Sequence, residues 1–98
     1  MKIIQKLCDM IDEEIEDARK YAVCHQEHRD FEPELSRTFS LLANEELNHM
    51  RMLHEQVVRI IGEFRKEKGD PPPEMMTIYE YLHKRQIEKV AEVKLLLS

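Results

Sequence analysis

Glu46 and His49 lie in the stretch Glu45-Glu46-Leu47-Asn48-His49, and on a helix residues three apart share a face. A carboxylate and an imidazole would therefore point to one place. Leu42 lies four residues before Glu46 and Leu53 four after His49, so the pair sits within an otherwise apolar stripe. Charge in such a stripe is costly unless something compensates it, and a divalent metal ion is the usual compensation. Carboxylate oxygens and an imidazole nitrogen suit iron, manganese or zinc, and bridging glutamates hold two ions about 3.5 to 4 Å apart. Glu45, one position round the helix, faces solvent on this reading.

The Glu-x-x-His spacing alone is weak evidence. With 15 Glu and 5 His in 98 residues, chance gives about 0.8 such pairs. The chain has two, the second being Glu80 and His83, so placement has to decide. Thr77 and Glu80 are spaced as a helix-capping box, with Met76 and Tyr81 placed for a hydrophobic staple, and a cap accounts for Glu80. The first pair gains support from Glu14, a carboxylate in register with Leu7, Ile11, Ala18 and Tyr21 on the first helix. Antiparallel packing about a turn near Asp30 to Glu32 puts Glu14 about 17 residues before the turn and Glu46 to His49 about 15 to 18 after it. The three groups can then meet. One carboxylate plus a Glu-x-x-His is half of the di-iron ligand set of four-helix bundles, and a two-fold related copy would supply the other half.

The elements that must position these groups are helices. The chain is 42% hydrophobic and 36% charged, with two Gly, four Pro and no Trp, a composition suited to long amphipathic helices rather than to a sheet rich in turns. The periodicity predicts a single all-α domain, 1–98, with helices over about 2–28, 33–68 and 74–98. These form a long antiparallel helical hairpin plus a third helix, with a four-helix-bundle core completed by dimerisation. Ile4, Leu7, Ile11, Ala18 and Tyr21 form the first stripe. The second helix carries Leu35, Phe39, Leu42, Glu46, His49, Leu53, Val57, Ile60 and Phe64, with Gly62 as a point of weakness or bending. Gly69-Asp70-Pro71-Pro72-Pro73 breaks the chain. The third helix starts between Glu74 and Thr77 and supplies Tyr79, Leu82, Val90, Val93 and Leu97; its apolar end, Leu95-Leu96-Leu97, points to burial against a partner chain.

A net charge of −5 argues against a nucleic-acid binder and favours gathering cations. No apolar run approaches the roughly 18 to 20 residues of a membrane span, and no secretory signal core is evident, so a cytoplasmic protein is expected. Cys8 and Cys24 fall about 24 Å apart on one helix and are expected to be free thiols. His25 and His28 suit the dipole at the end of the first helix, and His54 only borders the stripe. Met50, Met52, Met75 and Met76 read as core filling.

Glu14 with Tyr21 seven residues on, then Pro33-Glu34-Leu35 and Glu45-Glu46-Leu47-Asn48-His49, resembles the ferritin-like superfamily, most of all its short encapsulated-ferritin, or half-ferritin, type. The likeness covers residues 10 to 55. It implies two iron ions per dimer site, held by Glu14, Glu46 and His49 of both protomers, which also serve as the catalytic residues of a ferroxidase converting ferrous to ferric iron. Tyr21 would be a hydrogen-bond donor behind the ligands. Such proteins associate with a shell protein, but no loading tail is seen here. A third helix of this length is also unlike that type, and His83, Glu88 or Glu92 would be the extra ligands of a rubrerythrin-like variant. Manganese or zinc could replace iron. The alternative is a metal-free or zinc-stabilised helical oligomerisation or adaptor module without catalysis.

Overall fold

In the computed structural model, which describes all 98 residues, the chain forms three α-helices and no strand: α1 (Lys2–His28), α2 (Pro33–Lys68) and α3 (Pro73–Leu97). The protein measures 56 × 18 × 18 Å, a rod about as long as its 36-residue α2. No helix is long and apolar enough to cross a membrane.

α1 buries Ile4, Cys8, Ile11, Ile15, Ala18 and Ala22, which alternate at spacings of four and three and so keep one stripe facing inward along the whole helix. Of the expected stripe, Ile4, Ile11 and Ala18 lie on this core line, and Leu7 and Tyr21, with Glu14, form its half-buried edge. On α2 the expected stripe reaches the core at Val57 and is otherwise displaced to its flank. The buried positions of this helix are Ser36, Ala43, Val57 and Ile61, whereas Leu35 and His49 are exposed and Phe39, Leu42, Glu46 and Leu53 are half-buried. Leu42 and Glu46 therefore flank the core. Two clusters result: a larger one of Ile4, Cys8, Ile11, Ile15, Val57 and Ile61, and a smaller one of Ala18, Ala22, Ala43 and Val93. Alanine on both α1 and α2 lets the helices approach closely at the second cluster.

The α1–α2 turn is short, closed by the Glu32 N–H donating to the His28 carbonyl at 2.9 Å, with Pro33 in the first turn of α2, where its missing N–H costs nothing. Register is fixed beside this turn. Ser36 Oγ donates to the His25 carbonyl at 2.7 Å, and His25 Nδ1 stands 2.9 Å from the Ser36 carbonyl, a contact in which the ring nitrogen is the donor. His28 Nδ1 likewise bonds the Cys24 carbonyl at 2.8 Å, so both histidines satisfy the polar end of the hairpin. α2 runs unbroken through Gly62, where a side chain would meet nothing within 4 Å; the expected weak point is absent. It ends at Gly69, whose φ of +82° suits glycine alone and whose N–H reaches the Arg65 carbonyl at 3.1 Å.

α3 begins at Pro73, ahead of the expected range. Thr77 does not cap it: its hydroxyl donates to the Pro73 carbonyl at 2.9 Å, one turn back inside the helix. The polyproline-like backbone of Pro72 and a proline at the first helical position start the helix instead. α3 runs parallel to α1 and packs chiefly on it, with little contact to α2. Gln86, buried, fastens it by donating to Asp12 Oδ1 at 3.0 Å and to the Cys8 carbonyl at 3.4 Å. Farther on, Gln26 reaches the Leu96 carbonyl at 2.7 Å. The α1–α2 hairpin thus has one face covered by α3 and one face left open.

Candidate metal centre

The open face carries the predicted ligands. Glu14 lies one turn before Ala18 on α1, and Glu46 and His49 one turn apart on α2, at the level where the antiparallel helices bring residues 14 and 46 to 49 together. One donor atom from each of Glu14, Glu46 and His49 lies within 4.8 Å of the other two. His49 Nδ1 stands 3.5 Å from Glu14 Oε2 and 3.6 Å from Glu46 Oε2. These are too long for good hydrogen bonds. They are close to the separation of about 3.0 to 3.4 Å between neighbouring donors that each bind one ion at about 2.1 Å.

Two further observations bear on the chemistry. Glu14 Oε2 is buried yet has no hydrogen-bond partner, a costly arrangement for a carboxylate oxygen unless a cation or a proton satisfies it. Glu46 has its pKa raised above the ordinary carboxylate value, first because the Glu14 carboxylate can accept a hydrogen bond from its protonated form, then by burial and by the like charge of Glu14, with His49 working in the opposite sense. Two carboxylates sharing one site resist ionising together, and a divalent cation relieves that repulsion where a proton otherwise must. The donor set fits a hard or borderline divalent ion. It is also incomplete: the His49 side chain is 53% exposed, against 27% for Glu14 and 19% for Glu46, so the cluster faces outward at the side not occupied by α1 and α2.

The structure therefore brings together Glu14, Glu46 and His49 and leaves Glu45 exposed. The Tyr21 ring packs on Phe39 with centroids 6.3 Å apart, and its hydroxyl makes no hydrogen bond to any of the three within this chain. His83 is not among the three converging groups either. It stacks on His54 beside α3, while Glu88 and Glu92 are exposed on α3; none of the three is part of this centre. Cys8 is buried and Cys24 half-buried, both free thiols. The polar residues that the sequence reading passed over are Ser36 and Gln86, both buried. The signal for them was present. Ser36 leads the seven-residue series Ala43, Met50, Val57, and Gln86 stands midway between Tyr79 and Val93, positions where a polar side chain must find a partner.

Comparison with known proteins gives no significant match: no family model, curated protein or solved structure aligns with this chain.

Proposed function

We propose that the protein is a di-iron ferroxidase of ferritin-like type, in which Glu14, Glu46 and His49 of two protomers hold ferrous iron at a shared site. The observation that carries this reading is the convergence of two carboxylates and one imidazole from α1 and α2, with an unpartnered Glu14 oxygen aimed among them. Two ferrous ions each give one electron to dioxygen, which with two protons leaves as hydrogen peroxide, and two ferric ions remain. Within the chain, Glu14 and Glu46 neutralise the substrate cations and His49 supplies a neutral nitrogen donor. Glu14 beside it raises the Glu46 pKa, so a bound cation and a proton compete for the same carboxylate.

The open side of the cluster favours completion by a second copy. The same hairpin face shows Ile3 at 46%, Met10 at 39% and Leu35 at 40% exposure, apolar groups that helical spacing puts on the side of Glu14, four and eleven residues before it, or of Glu46, eleven residues before it. Burial of such a stripe against its own symmetry mate would close a four-helix bundle. A metal-free oligomerisation module has one observation in its favour: a protonated His49 between two carboxylates would give the same distances of 3.5 and 3.6 Å.

Ferrous iron oxidation under air, followed by absorbance, separates the two. The wild-type protein accelerates oxidation over buffer, and Glu46→Ala or His49→Ala lowers the rate at least about 100-fold while preserving helicity. Equal rates for wild type and both variants would exclude the ferroxidase and leave the oligomerisation module.

A further inference from the structure

On the other face of the hairpin, α2 and α3 meet through aromatic rings. His54 of α2 and His83 of α3 stack with centroids 4.4 Å apart and planes 10° from parallel. Tyr79, one turn before His83, lies nearly parallel to it at 5.8 Å and brings its hydroxyl to 3.4 Å from His54 Nε2. Beside the rings a cleft of about 370 Å³ separates the two helices, floored by Met50 and Val90 and flanked by Arg51 and Lys94. The backbones of α2 and α3 approach each other little, and this stack is one of the side-chain ties between them.

We propose that the His54–His83 stack is a proton-sensitive clasp, holding α3 against α2 while His54 is neutral and releasing it to widen the cleft when His54 is protonated. Parallel rings at this distance do not aim their in-plane lone pairs at a common point, so the pair is poorly arranged to share a metal ion. It is arranged to exclude charge. A protonated imidazole carries N–H groups on both nitrogens, and His83 Nδ1 is buried with no partner to accept from it. Two protonated rings face to face would add direct repulsion.

The surroundings act in the same direction. From α2, Arg51 brings a cation and Glu55 the nearby carboxylate, but Arg51 already pairs with Glu55. From α3, Lys94 brings a second cation and Tyr79 a phenol. From α1, Asp12 accepts from Gln86, and the Cys8 thiol stands near Tyr79, buried and held in its neutral form. Burial, then the neighbouring His83, lower the pKa of His54, with Glu55 opposing weakly. A depressed histidine contributes stability that is present above its ordinary value of 6.5 and is lost as the pH falls through that value toward the folded one. The clasp therefore opens on mild acidification.

Hydrogen exchange on the full-length protein tests this. Protection factors of α3 amides 79–93 should fall at least about twofold more than those of α1 and α2 between about pH 7.5 and about pH 5.5. His54→Phe, which keeps a stacked ring without a titrating nitrogen, should hold α3 protection level across that range. In a separate measurement the NMR titration midpoint of His54 should rise in His83→Leu. Parallel loss of protection in all three helices, an identical loss in His54→Phe, or a His54 midpoint unmoved by His83→Leu would each overturn the clasp.

Discussion

The two faces of the α1–α2 hairpin each place histidine beside a helix–helix seam, and they treat it in opposite ways. On the open face His49 stands within 3.6 Å of two carboxylates and is half in solvent. On the covered face His54 meets another imidazole at 4.4 Å, with two cations flanking the cleft. The first environment attracts a cation and the second repels a proton. Residue type alone does not distinguish them; the sign of the neighbouring charge and the access to water do.

The strongest way to break the comparison is to remove what both faces share. Ile15 is 1% exposed in the core between them, and Ile15→Ala should destabilise the protein by about 2 to 5 kcal/mol, seen as a lower denaturant midpoint, with both faces failing together. A smaller effect is specific to the open face. Glu46, with its raised pKa, contributes stability that is complete below the ordinary carboxylate range and is lost as the pH rises through its folded value. Glu46→Gln should therefore raise the metal-free melting temperature at neutral pH by about 2 to 5 °C, flatten its dependence on pH, and abolish iron affinity. A melting temperature that falls would show that Glu14 and Glu46 do not oppose one another. The smallest change belongs to the covered face: Glu55 raises the His54 pKa slightly, so Glu55→Gln should move the NMR midpoint of His54 further down. No movement, or movement upward, would mean that carboxylates do not decide the behaviour of these imidazoles.

Much of this arrangement was legible in the chain. The Gly69-to-Pro73 break and Pro33 marked the ends of the helices because glycine and proline act through the backbone itself. The meeting of Glu14 with Glu46 and His49 followed from counting outward from the turn, since antiparallel helices rise equally per residue. The exact inward direction was harder to read. The expected stripes include Ile4, Ile11, Ala18 and Val57, which are buried, but Leu7, Leu42 and Leu53 draw them toward the flank; the rest of the true line runs through Ile15 and through Ala22, Ser36 and Ala43, small or polar residues that pattern reading discounts. Tyr21 was assigned from resemblance and has Phe39 as its partner here. The start of α3 was misplaced because Thr77 and Glu80 satisfy a capping pattern that the preceding prolines forestall. The His54–His83 stack depends on the axial offset of α3 along the hairpin, which is set by Gln86, Asp12 and the proline linker, and no local sequence signal encodes it.

The central claim is that Glu14, Glu46 and His49 hold iron together with a second copy of the chain. Anomalous diffraction at the iron edge, on crystals grown anaerobically with ferrous iron, tests it most directly. The account predicts peaks bounded by Glu14, Glu46 and His49 and lying beside a two-fold axis that brings the same residues from a partner. Iron bound elsewhere, or no peak at these residues in a crystal that takes up the metal, would contradict it.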